Sequence, residues 1–95
     1  MHLRVEQAVV DRFEVPQHEG VRALLARIRA EWQGPGRGQA RIQLACLRLA
    51  AGDLLQLRQS VAAAEIDWRD VLVSAGLGNA DWPEVLRRDG WPVPD

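Results

Sequence analysis

The chain has 95 residues, 47% of them hydrophobic and 26% charged, and a net charge of −1. That length suits one domain with one core, leaves little room for a deep enzyme cleft, and the composition is that of a folded chain. No apolar run approaches the roughly 20 residues that span a bilayer, near-neutral charge does not favour nucleic acid, and the single cysteine, Cys46, excludes an internal disulfide and a Cys-rich zinc site.

The N-terminal segment, residues 1–16, is the hardest to read. Its first residues carry charges of both signs and no apolar stretch, so it does not read as a signal peptide. Val5, Val9 and Phe13 recur every four residues, which favours a helix. The β-branched Val5, Val9, Val10 and Val15 favour a strand. Helix is the preferred expectation, closed at Pro16 because the residue before proline avoids the α region.

The next segment is clearer. Val21, Leu24, Leu25, Ile28 and Trp32 form one apolar stripe, predicting a helix of about four turns from near Glu19 to Gln33. Arg22 and Arg29 lie off the stripe and are expected in solvent. Gly34-Pro35-Gly36-Arg37-Gly38 then turns the chain. From Gly38 to Ala51 the pattern is apolar on two sides: Ile42, Ala45, Cys46 and Leu49 on one, Leu44, Leu47 and Ala51 on the other. Arg37, Arg41 and Arg48 fill the strip between them, and Gln43 marks the opposite strip. A helix apolar on two sides has neighbours on both, so this is the expected central helix.

Gly52 ends that helix and Asp53, with Gln56 three residues on, resembles a capping box for the next. Leu54, Leu57, Val61 and Ala64 give its stripe, with an end expected near Glu65. A repeated phrase follows at an offset of fourteen residues: Asp67-Trp68-Arg69-Asp70-Val71-Leu72 through Gly76-Leu77, and Asp81-Trp82-Pro83-Glu84-Val85-Leu86 through Gly90-Trp91. Asp67 and Asp81 stand at N-cap positions, and Asp70 and Glu84 sit where the helix dipole favours negative charge. Gly76 and Gly90 fit the left-handed residue of a Schellman ending, with Leu77 and Trp91 folding back. Each phrase therefore predicts a short helix that must dock to persist. Residues 91–95, with two prolines, read as an extended tail anchored by Trp91. The fold expected is all-α: a single-domain bundle of four to six helices, its central helix buried on two faces.

The stretch Arg41-Ile42-Gln43-Leu44-Ala45-Cys46-Leu47-Arg48-Leu49-Ala50-Ala51-Gly52-Asp53-Leu54, followed by Asp67-Trp68-Arg69-Asp70-Val71-Leu72, resembles a group of short, uncharacterised bacterial proteins. They share an RIQLAxLxLAxGDLxxL segment and a D-[WY]-RDVL phrase. The likeness covers about residues 41–77. It implies a small cytosolic helical protein and supplies no catalytic residues.

Candidate chemistry is sparse. His2 and His18 have few partners for a site, and Cys46 on an apolar face reads as a buried thiol rather than a nucleophile. Capping already accounts for Asp67, Asp70, Asp81 and Glu84. The glycine-rich turn lacks the ending of a P-loop. No catalytic, cofactor or metal residues are therefore expected. Residues 1–48 carry eight arginines against five acids, and residues 49–95 four against eight, a polarity that can orient partners. Trp and Arg are typical interface anchors. The leading expectation is a cytoplasmic, non-enzymatic protein–protein interaction module, possible self-association included, with Trp68, Trp82, Trp91, Arg37, Arg41 and Arg48 as contact residues. The alternative is a DNA-associated regulator with a helix-turn-helix-like element at about 54–76, disfavoured because Asp67 and Asp70 occupy the end that would face phosphate.

Overall fold

Five α-helices and no strand make up the computed structural model, which describes residues 1–95: α1 (Leu3–Arg12), α2 (His18–Leu25), α3 (Arg37–Ala50), α4 (Leu54–Ser74) and α5 (Trp82–Arg88). Two short 3₁₀ turns, Val15–Gln17 and Ala30–Trp32, interrupt the connections. One apolar cluster of 23 buried residues draws on all five helices. The radius of gyration, 11.7 Å, matches the value of about 12 Å for a compact chain of this length. No helix is long and apolar enough to cross a membrane.

Spacing outweighs β-propensity in the first segment. Val5, Ala8 and Val9 are buried at one face of α1, while the β-branched Val10 and Val15 are exposed. His2 caps the helix, its Nδ1 accepting from the Arg4 amide at 3.0 Å. The helix stops at Arg12, and Pro16 falls within the first 3₁₀ turn.

The four-turn helix expected from Glu19 to Gln33 is replaced by a shorter one. α2 ends at Leu25; Arg27 and Ile28 bond back to Leu24 and Leu25 in i→i+3 fashion, and Arg29 is extended. The cause lies in α3. Gln43 Nε2 donates to the Leu25 carbonyl at 3.1 Å and Gln39 Nε2 to the Ile28 carbonyl at 2.8 Å. Carbonyls that a continuing helix would bond are thus satisfied from outside. The apolar stripe still points inward, with Val21, Leu25 and Ile28 buried and Leu24 and Trp32 half-buried.

Gly38 opens α3 under a tight constraint: a Cβ there would lie 2.1 Å from the Gln33 carbonyl oxygen. α3 is buried on both faces, as its pattern predicts, with Ile42, Ala45 and Cys46 on one and Leu44 and Leu47 on the other. Its main packing partner is α4, with α1 and the second 3₁₀ turn against it elsewhere. Ala51, expected on the second apolar face, is instead exposed and left-handed at φ +50°. It makes the sharp exit that lets α4 fold back onto α3.

Asp53 caps α4 by accepting from the Leu55 and Gln56 amides at 2.8 and 3.2 Å. Its own amide bonds the Ala50 carbonyl, so only half of the capping box forms. The first helical part of α4 ends beside Glu65, as expected: Asp67, at φ −155° and ψ 97°, is non-helical, and a second part runs on from it to Ser74. The Asp67 carboxylate accepts from the Arg69 amide at 3.1 Å and so caps the helix restarting behind it.

Both halves of the repeat end alike. Leu77 N–H bonds the Leu72 carbonyl at 2.8 Å and Trp91 N–H the Leu86 carbonyl at 2.9 Å, with Gly76 and Gly90 both at φ +77°. These are the Schellman endings that Gly followed by a large apolar residue predicts. Their starts differ. Asp81 makes no side-chain capping bond; its main-chain carbonyl takes the Glu84 and Val85 amides instead.

Candidate interaction surface

Two arginines of the α3 strip, Arg41 and Arg48, reach onto the ends of other elements, while Arg37 is exposed. Arg41 donates from Nε and Nη2 to the Leu77 carbonyl at 3.0 and 2.7 Å, and from Nη1 to Gln33 at 3.1 Å. Burial lowers its pKa. Arg48 donates from Nε to the Ala75 carbonyl at 3.0 Å and pairs with Asp89 at 3.1 Å. Arg37 and Arg41 lie over the Trp82 ring, 5.0 and 5.3 Å from its centroid. Arg12 and Arg48 lie 3.9 and 5.8 Å from the centroid of Trp91. Trp82 is only 8% exposed.

Of the six expected contact residues, then, the structure groups Arg37 and Arg41 with Trp82 and Arg48 with Trp91. Both groups hold α5 and the tail to α3. Charge over an indole face is favourable, and more so where water is excluded. Trp68 stands apart. It is half-buried, with the Arg69 guanidinium 5.0 Å from its ring centroid. It lines a small depression of about 220 Å³ with Gln33, Arg41, Leu72 and Val73.

The remaining arginines are distributed rather than clustered. Arg22, expected in solvent, is part-buried and forms a two-nitrogen contact with Glu6. Arg27 pairs with Glu65, and Arg29 with Glu31. The largest depression, about 700 Å³ and open, mixes Arg4, Arg37 and Arg87 with Asp81, Glu84 and Asp95. That mixture selects no sign of charge.

The other candidates have local explanations. His18 is buried and its Nε2 donates to the Phe13 carbonyl at 2.7 Å; the carbonyl can only accept, so this nitrogen carries the proton. Cys46 is fully buried, which pushes its thiol pKa up to about 12. A thiol so protonated is a poor nucleophile. No group of three His, Cys, Asp or Glu side chains is placed to hold a metal ion. The helix-turn-helix-like element at 54–76 has no turn: its two helical parts meet at Asp67 alone, where that motif needs three or four residues.

Pattern reading missed the outer face of α4. Leu55, Ile66 and Val73 are 58%, 89% and 71% exposed. The signal was present. Leu55 and Ile66 are eleven residues apart, three turns, on the side opposite the buried Leu57, Val61 and Ala64. Val73 lies beyond the break at Asp67, in the small depression beside Trp68. Leu55 and Ile66 share a face, and large apolar side chains grouped in solvent mark contact surfaces more often than scattered ones do. Comparison of the chain with protein families, curated proteins and solved structures finds no match.

Proposed function

We propose that this chain is a non-enzymatic protein–protein interaction module of the cytoplasm, and that it binds through the outer face of α4. One observation supports this reading most directly. Leu55, Ile66 and Val73 stand in solvent on the same helix that half-buries Trp68. Covering one such side chain gains about 1.5–3 kcal/mol. A partner that buries several of them, with an indole and Arg69 at the edge, has the makings of a hot spot.

The contact set differs from the one expected at first. Trp82, Trp91, Arg41 and Arg48 serve internal contacts, so Trp68 with Ile66 and Val73 takes their place. The test is a paired affinity capture with the native chain and Ile66→Asp. A protein retained by the native chain and lost with the variant supports the reading. Capture indifferent to Ile66→Asp and Val73→Asp overturns it.

A further inference from the structure

The outer face of α4 is self-complementary. At 100° and 1.5 Å per residue, Leu55, Gln59, Ala62 and Ile66 fall within a strip about 60° wide, with Leu55 and Ile66 about 16 Å apart. All but Gln59 are apolar, and all four are exposed. Ala62 and Ala63 in the middle let another backbone approach closely. Arg58 and Glu65, seven residues apart, project along the same flank of this strip, and both are exposed. Glu65 is steadied by Arg27 without being buried, its side chain 38% exposed.

We propose that the partner is a second copy of this chain, docked with the two α4 helices antiparallel about a twofold axis at the level of Ser60 and Val61. The proposal rests on reading α4's outer face as a contact surface. In that arrangement Leu55 of each copy lies beside Ile66 of the other, and Gln59 beside Ala62. Antiparallel helices bring like flanks together, so each Arg58 comes within a turn of the opposite Glu65. A parallel pair would set Arg58 against the other flank, which carries Gln56 and Ala63 and offers it no carboxylate at that level. Charge therefore selects the antiparallel pair. A twofold contact of this kind is the commonest closed assembly. Three helical turns bury less than the roughly 1,200–2,000 Å² of a standard stable interface, so the dimer is reversible and concentration-dependent.

Sedimentation equilibrium of the full chain over a wide concentration range tests this. The expected mass rises from 10.6 kDa at dilution toward twice that value. Ile66→Asp holds it at 10.6 kDa throughout without lowering the melting temperature, because that side chain touches little in the monomer. Arg58→Glu raises the dissociation constant about tenfold by turning two attractions into repulsions. Arg58→Glu combined with Glu65→Arg and Arg27→Glu, which keeps the internal pair at position 65, restores it. A single 10.6 kDa species at the highest concentration, or a dimer that survives Ile66→Asp, overturns the proposal. If the chain stays monomeric while Ile66→Asp still loses a captured protein, the self-pairing is wrong and the contact surface stands.

Discussion

Arg48 of α3 donates its Nε–H to the Ala75 carbonyl, 27 residues along the chain, at 3.0 Å. Arg41, two turns earlier, does the same for Leu77. On the opposite side of α3, Gln39 and Gln43 take the carbonyls of Ile28 and Leu25. Helix C-termini leave carbonyls without intrahelical partners, and buried ones must be satisfied. The central helix thus packs its apolar faces and also terminates both of its neighbours with long polar side chains. Arg41 and Arg48 on one side and Gln39 and Gln43 on the other have the same use.

Removing one of these caps is costly. Arg48→Ala is expected to lower stability by about 2 kcal/mol, since hydrogen bonds from charged groups contribute about 1.5–3 kcal/mol and the Ala75 carbonyl loses its partner. Arg58→Ala, on an exposed face, stays within about 0.5 kcal/mol. Urea denaturation midpoints of the two variants measure the difference. Equal effects would mean that the Arg48 contact contributes nothing special.

The two halves of the repeat respond differently to the same change. Asp67→Ala loses a capping bond and costs about 1 kcal/mol, a fall of about 4–8 °C in melting temperature for a domain near this size. Asp81→Ala loses no such bond and stays within about 0.5 kcal/mol. Parallel thermal melts decide this, and a larger loss at Asp81 would contradict the geometry.

Two helical glycines are expected to move stability in opposite directions. At Gly38 an added Cβ meets the Gln33 carbonyl oxygen at 2.1 Å, so the turn must open. Gly38→Ala therefore costs at least about 2 kcal/mol despite the better helix propensity. At Gly20, within α2, an added Cβ meets nothing within 4 Å. Gly20→Ala gains about 0.4–1 kcal/mol by restricting the unfolded chain. Chemical unfolding of both variants checks the signs.

Acid weakens the fold through Glu6 and Asp89. The hydrogen bond from Arg22 holds the Glu6 carboxyl below its ordinary pKa, and that from Arg48 does the same for Asp89. A depressed carboxylate pKa adds stability above the unfolded-state value and loses it as pH falls through the folded-state value. The melting temperature should be level near neutrality and drop below about pH 5. Glu6→Gln makes that drop shallower. An unchanged acid limb in the variant would remove Glu6 from the account.

Much of this was legible in the residues, and the rest was not, for reasons of range. The caps at Asp53 and Asp67 and the glycine endings at Gly76 and Gly90 involve groups within five residues of one another, so a short window contains both partners. The two-faced pattern of α3 likewise announces neighbours on two sides. Asp81 shows where local reading fails. It stands in the same phrase as Asp67, yet its backbone is at φ −84° and ψ 12° rather than extended, and its carboxylate does not reach the amides.

By itself, then, the sequence determined which segments coil, most of their ends and which faces turn inward, because those follow from spacing and from bonds between near neighbours. Tertiary structure decided that α2 stops at Leu25 and that Arg41, Arg48 and two of the tryptophans serve internal contacts. Those outcomes depend on carbonyls and rings supplied by residues eleven or more positions away, and only packing brings such groups together.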